Sequence, residues 1–387
     1  MEKGVSPIIS MILLVLVSIS AVYLVLFVAK PTIDRAYESA DMNEAEKNLE
    51  LLDNLIREVA SEGTGSHRSV VLKVSDGDYR TVNMSGNFTG ALQYKIDLKY
   101  SPYTAPMLKK VGNVKYTAGM NGIGLTMYLN LDDGNGTTAA DSSDYNNYGV
   151  IYNGTTSCAN PSTSGAGCPE WVDGNFRKAL KFDGVNDFAN VSHSVSLQPS
   201  SSGTISVSVW INSSFSGQNS TIVIKNYDDT QLSYDLELYE GKCCFSVNAT
   251  QSAACWDTLL AANEWAHLVG VYNGTHNLIY VNGALKNSSS YVNGIKSSSS
   301  PLLIGRKNIW GNYFNGTIDE VRIYKKALTA DEIKENYNTK PSNYQVFLEY
   351  SKIIITGNVK IGGGEHKLCI EKIGELNNKP LVRITAC

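Results

Sequence analysis

Three acids share one short segment of the chain, Asp235-Leu-Glu-Leu-Tyr-Glu240, in a D-x-E-x-x-E pattern. Alternate residues of a β-strand share a face, so Asp235 and Glu237 project together, and two carboxylates about 5.5 Å apart suit a covalent glycosyl intermediate. The third acid breaks the set. Glu240-Gly241-Lys242 reads as a hairpin turn leading into Cys243–Val247, which takes Glu240 off the shared face and makes a solvated strand the expectation. No Ser/His/Asp arrangement and no Gly-rich phosphate loop occurs in the strand–turn–helix context that each requires. The sequence therefore reads as a non-enzyme.

Binding chemistry is better represented. Carbohydrate recognition needs aromatic platforms beside polar groups, and Trp256, Trp310 and Tyr313, with Tyr227 and Tyr291, fall near expected loops. Trp310, in Lys307-Asn-Ile-Trp-Gly-Asn-Tyr313, is the first choice for an exposed platform. Trp210 and Trp265 lie within strands and are expected in the core. A net charge of -4 and a pI near 5.8 over 387 residues provide no basic footprint, which argues against nucleic acid as a partner. Tyrosine outnumbers phenylalanine 22 to 9, the composition of a wet, hydrogen-bonding β surface.

The cysteines suggest an oxidising compartment. Cys158 and Cys168 bracket a Gly/Ser/Pro loop, either Cys243 or Cys244 can reach Cys255 across a hairpin, and Cys369 can reach Cys387 across the last two strands. The adjacent pair leaves its choice open; Cys158, Cys168, Cys244, Cys255, Cys369 and Cys387 form the expected set. Zinc spacing is absent. About eleven N-x-S/T sequons, among them Asn83, Asn87, Asn153, Asn190, Asn212, Asn248, Asn273 and Asn315, fit a glycosylated surface.

The elements that position these residues begin with an uncharged run from Val5 to Ala29, long enough to cross a bilayer as a retained transmembrane helix. The start, Met1-Glu-Lys-Gly-Val-Ser-Pro-Ile-Ile9, resembles the type IV pilin-like leader of archaea. That resemblance implies cleavage between Gly4 and Val5, although Ile9 stands where bacterial pilins carry an acid. Next, Thr32–Glu62 carries Leu49, Leu52, Ile56 and Val59 on one helical face, with Gly63-Thr-Gly65 as its stop. Alternating segments at 69–116 and 344–386 read as strands, yet neither flank is large enough to bury a core alone. One β domain split by an insertion is the economical arrangement.

The inserted part carries its own signature. Asn315–Tyr337, NGTIDEVRIYKKALTADEIKENY, couples a strand (Ile318, Val321 and Ile323 among Asp319, Arg322 and Lys325) to a short amphipathic helix. It resembles the closing strand and helix of laminin G-like, concanavalin A-like jelly rolls. Leu129–Thr138 with Asp141–Ser143 is similar to that family's opening strand and loop, Ala179–Asp187 to its ALxFDGxxD strand, Ile205–Trp210 to its ISxxxW strand, and Trp265–Gly283 to its hairpin. The resemblance spans roughly Gly122–Asn338. It implies a concanavalin A-like (laminin G-like) jelly-roll sandwich, and with the short flanks and the uncharged N-terminal run the expectation is a mainly β protein, the jelly roll inserted in a small β domain and preceded by a long N-terminal transmembrane helix.

The expected divisions are 1–31 leader and transmembrane helix, 32–62 amphipathic helix, 63–117 plus 343–387 host domain, and 118–342 jelly roll. The family often holds Ca²⁺ on oxygens converging from loops, which makes Asp132, Asp133, Asp141 and Asp319 the expected ligands. Its retaining glucanases order their strand acids E-x-D-x-x-E, the first two reversed relative to this chain. Together these features imply a single-pass membrane protein with extracellular domains that binds glycans or partner proteins, as a lone adhesin or as a homopolymeric filament subunit. A purely structural pilin and, last, a glycoside hydrolase are the alternatives.

Overall fold

A computed structural model describes residues 11, 14–18, 20, 23, 29–82, 90–98, 107–111, 114–118, 122–158, 167–199, 203–225, 232–248, 252–307, 312–338, 343–350 and 352–387. Helix α1, Lys30–Ser61, has Pro31 in its first turn, where a missing N–H costs no hydrogen bond. Its stripe of Leu49, Leu52, Ile56 and Val59 is fully buried. Among the described residues no helix is long and apolar enough to cross a membrane. The long transmembrane helix expected within 1–31, and the single-pass membrane localisation with it, are therefore corrected: α1 is the charged helix that follows that run, and no helix of the described residues supplies the apolar length that a bilayer needs. Gly4 and Val5, the expected cleavage site, lie outside the described residues.

Among the described residues the strands form four sheets. In the first, His67–Val74 pairs with Gly364–Leu376, and Lys379–Ala386 and Ile354–Gly357 follow. In the second, Asn343–Glu349 lies between Ala91–Asp97 and Val114–Ala118. Each sheet mixes chain from both flanks. The α1 stripe joins Leu72, Leu92, Val346, Leu368 and Val382 in one core, the pooling that two short flanks need to bury enough apolar surface.

The other two sheets pack as a sandwich. One runs Glu170–Asp173, Lys178–Asp183, Asn315–Tyr324, Ile205–Ser213, Trp265–Tyr272, His276–Val281 and Ala284–Ser290, with Leu125–Leu129 also paired to Asn315–Tyr324. The second runs Ala254–Leu259, Lys242–Val247, Tyr234–Tyr239, Ser220–Lys225, Leu302–Ile304, Asp187–Val191, Gly149–Asn153 and Thr138–Ala139. Val207, Val209, Ile318, Val321 and Ile323 of the one meet Ala189, Val191, Leu236 and Phe245 of the other in a single core. Glu320 (φ 57°) sits where the pairing register slips between Ser208 and Trp210, so the alternation skips a residue and both Ile318 and Val321 face inward.

Helix α2, Ala330–Asn338, packs on the outer face of the sandwich sheet that contains Asn315–Tyr324. Leu328 and Ile333 seat on Val269, Val271 and Tyr324. Thr329 and Glu332 cap its start reciprocally: the Thr329 N–H donates to Glu332 Oε2 (2.9 Å), and the Glu332 N–H to Thr329 Oγ1 (3.3 Å). Disulfides join Cys158 to Cys168, Cys244 to Cys255 and Cys369 to Cys387, and Cys243 is a buried free thiol. Alternation decides the adjacent pair. Cys243 faces the core, while Cys244 stands opposite Cys255 on the outer face.

Candidate functional site

Register places a single row of side chains across the outer face of the sheet containing Tyr234–Tyr239. Ser246 lies opposite Asp235, Asp235 opposite Ile224, Ile224 opposite Leu303, and Leu303 opposite Asn190. Directly opposed residues share a face, and the intervening Tyr234, Leu236 and Val191 belong to the core, so this row points away from it. Two positions along, Phe188 opposes Tyr152, their rings stacked 5.0 Å apart at 11°. Phe188, Ile224, Leu232 and Leu303 form an apolar cluster of their own, with Tyr152 and Tyr313 packed against it. The Arg306 guanidinium lies 4.3 Å from the Phe188 ring centre and 5.7 Å from that of Tyr313, cation–π geometry in both cases.

The polar end of the row is strained electrostatically. Asp235 is 1% exposed and accepts a hydrogen bond from Ser246 Oγ at 2.5 Å through Oδ1. Its other oxygen, together with Thr221 Oγ1 and Asn190 Oδ1, is buried without a partner among the described residues. Burial, and then the neighbouring Glu237 charge, push the Asp235 carboxyl up to about 7. Buried polar atoms without partners are uncommon, and several on one face mark a place where the fold is not optimised for stability alone. The solvated strand expected at Asp235 is thus a buried one. Glu240 does occupy the hairpin turn, exposed and at φ 50°.

Of the expected aromatic platforms, Tyr313 belongs to this face. Trp256 does not: it packs half-buried against the sandwich core, with Lys286 Nζ 5.2 Å from its ring centre. Trp310 and Tyr227 lie outside the described residues. Tyr291 is fixed edge-on against Tyr272 and accepts from Asn248 Nδ2 at 2.8 Å. Trp210 is buried, but on the outer face beneath α2, stacked on Tyr337 at 5.7 Å. Phe188 and Arg306 were the residues that strand pattern alone did not single out. A period-two reading of Asp187–Val191 puts Phe188 and Asn190 opposite the core-facing Ala189, but gives no hint that the outward pair would be covered.

The four expected calcium ligands are each committed to the backbone. Asp141 accepts from the N–H groups of Tyr128 (2.9 Å), Ser143 (2.9 Å) and Asn147 (2.7 Å) and from Ser143 Oγ (2.7 Å). Asp133 accepts from Ala140 N–H, Asp132 from Lys178 N–H, and Asp319 from the N–H groups of Asn175 and Phe176. Among the described residues no group of three or more acidic, histidine or cysteine side chains could hold a metal ion. Asp319 Oδ1 is buried without a partner among the described residues. Burial, then Glu320, raises the Asp319 carboxyl to about 9. Beside it Glu320 pairs with Arg322 and accepts from the Tyr128 hydroxyl at 2.9 Å, and His267 accepts from or donates to Ser208 Oγ at 2.9 Å. Tyr337 of α2 stacks beside this second buried polar group, on His267 and Trp210.

Residues 183–334 match the concanavalin A-like lectin/glucanases superfamily. Domain 4 of a GH43 extracellular arabinanase from Geobacillus stearothermophilus, in complex with arabinotriose, is similar in structure at 20% identity and TM-score 0.43, covering 55% of this chain and 98% of its own. The binding domain of Paraclostridial Mosquitocidal Protein 1 follows at 19% and 0.43, covering 56% of this chain and 52% of its own. The botulinum neurotoxin serotype G binding domain stands at 17% and 0.42, covering 55% and 50%. The chain spans about half the length of the two toxin domains. No curated protein matches it.

Proposed function

We propose that this concanavalin A-like jelly roll is a non-enzymatic ligand-binding module, and that it takes a glycan on the outer face around Phe188, Tyr152 and Tyr313. One observation carries the reading: the stacked Phe188 and Tyr152 rings, Tyr313 and the Arg306 guanidinium lie together on the outer face. A sugar presents C–H faces to rings and hydroxyls to polar groups, and half-buried Tyr152 and Tyr313 keep exposed surface for such a contact. The family's description as lectins and glucanases supports the same ligand class. Glu240 in the exposed turn leaves the D-x-E-x-x-E segment without its third carboxylate on the face, which favours binding over hydrolysis. The three disulfides fit work in an oxidising compartment.

A glycan array on the full chain, followed by titration of the best ligand, tests the reading. Tyr313→Ala should weaken that ligand about tenfold, the loss expected from one aromatic contact of roughly 1–1.5 kcal/mol, with no sugar released on prolonged incubation. An array with no hits, or an affinity indifferent to Tyr313→Ala, would remove this face from the account.

A further inference from the structure

The N-x-S/T sequons differ in what the fold leaves of their amide groups. An N-linked sugar replaces one of the two hydrogens on Asn Nδ2, so a folded acceptor needs one N–H that donates to nothing and open space beyond it. Asn248 has neither. It is 4% exposed, its Nδ2 donates to the Tyr291 hydroxyl (2.8 Å) and to the Gly294 carbonyl (2.5 Å), and its Oδ1 accepts from the Lys296 N–H (2.5 Å). A sugar attached there before folding would break one of two buried hydrogen bonds and demand space that the fold has closed, so a chain modified at Asn248 does not reach this structure. Asn273 is held the other way round. It opens the exposed turn Asn273-Gly-Thr275 between Trp265–Tyr272 and His276–Val281. Its Oδ1 accepts from the Thr275 N–H (3.0 Å), the Thr275 hydroxyl (3.1 Å) and the His276 N–H (2.9 Å), and no described residue accepts from its Nδ2. The turn is fixed from behind, since the Tyr272 hydroxyl donates to the Gly274 carbonyl (2.9 Å) and the Tyr291 N–H to the Thr275 carbonyl (2.8 Å). Nothing lies within 4 Å of where a Cβ on Gly274 would stand, so the turn faces open space.

We propose that Asn273 carries an N-linked oligosaccharide and that Asn248 carries none. The donor is a sugar linked through phosphate or diphosphate to a polyprenyl lipid, presented by a membrane transferase in the oxidising compartment that the three disulfides indicate. Nδ2 forms a bond to the sugar C1, the C1–O bond to phosphate breaks with its electron pair, and the proton shed by Nδ2 passes to a base of the transferase. The products are the C1–N-linked chain and the free polyprenyl phosphate or diphosphate. An amide nitrogen is a weak nucleophile because its lone pair is delocalised onto the oxygen, and three donors on Asn273 Oδ1 stabilise the charge that gathers there as the proton leaves. The same three bonds turn Nδ2 outward, so the attached sugar leaves every contact of the turn in place.

The test is site-by-site glycopeptide mapping by mass spectrometry of the full chain, secreted from a host whose N-glycosylation is verified on a second secreted protein. The peptide containing Asn273 should carry a glycan in most molecules, and the peptide containing Asn248 should be unmodified. Thr275→Ala removes the hydroxyl that the sequon requires and should abolish the glycan mass at Asn273, whereas Thr275→Ser should retain it, each in a chain that is still secreted and melts cooperatively. A bare Asn273 in the parent chain would overturn the proposal. So would glycan on Asn248 in cooperatively melting material, or a glycan on Asn273 that survives Thr275→Ala.

Discussion

At the scale of single residues, the outer face of the sandwich holds a titrating group whose effect on stability can be signed. Asp235 has a folded-state value near 7 against an unfolded value of about 3.9, so between those limits the folded chain keeps a proton that the unfolded chain has released. Its contribution is fully present below about pH 4 and is lost as pH rises through 7. Asp235→Asn removes that slope: from pH 5 to pH 8 the melting temperature of the variant should rise relative to the parent, and parallel curves would show that Asp235 ionises normally. The aspartates that resembled calcium ligands make the opposite kind of forecast. With Asp141 holding four donors, excess chelator should leave the melting temperature unchanged. A fall of several degrees, lost in Asp141→Asn, would restore an ion to the site.

At the scale of elements, what could be read in advance depended on whether the determining contact was local. The stripe Leu49, Leu52, Ile56 and Val59 needs only a period of 3.6, and it is buried as a set. The three loop-closing cysteine pairs needed only short spans of chain. The polar face of Asn315–Tyr324 was less legible: Asp319 and Arg322 alternate with Ile318 and Ile323 as solvent-facing residues do, yet both are fully buried. Asp319 is covered by the turn at 174–176, from whose N–H groups it accepts, and Arg322 packs on the Tyr128 ring and pairs with Glu320; nothing within the strand announces either. Asp235 misleads as well, since strand alternation marks it as outward-facing and does not show that the outer face is covered there. Gly270 shows the sharpest such contact. The Phe245 ring fills the space above it, so that an added Cβ would fall 2.0 Å from Phe245 Cδ2. Gly270→Ala should therefore cost about 1–3 kcal/mol, measured by denaturant unfolding, although alanine has the better intrinsic fit to an ordered backbone. Phe245→Leu in the same chain should recover part of the loss by coupling, and strict additivity of the two changes would mean that the strain lies elsewhere.

At the scale of the whole molecule, the two cores draw on different parts of the chain. Every residue of the α1-covered core lies before 115 or after 345, and none belongs to the sandwich. The two bodies touch through a small apolar cluster, Ala91 and Phe347 with Ile123, and through charge. Lys115, 4% exposed, reaches Glu349 of the host sheet at 3.0 Å and Asp144 of the sandwich at 3.1 Å, and Lys95 pairs with Glu335 of α2. Ion pairs of this kind set relative orientation, but they contribute little net stability to either core when both partners can return to water. A chain in which residues 119–342 are replaced by a short Gly/Ser linker should consequently keep its helix and its two sheets and melt cooperatively. Loss of Asp144 leaves Lys115 paired with Glu349 alone, so the variant's melting temperature should fall by no more than a few degrees, and Lys115→Met within it should change that temperature little. A linker variant without helical circular dichroism, or one that melts without cooperativity, would show that the sandwich is needed to bring the two flanks together. The His67–Val74 pairing with Gly364–Leu376 would then depend on the inserted module and not on the shared core.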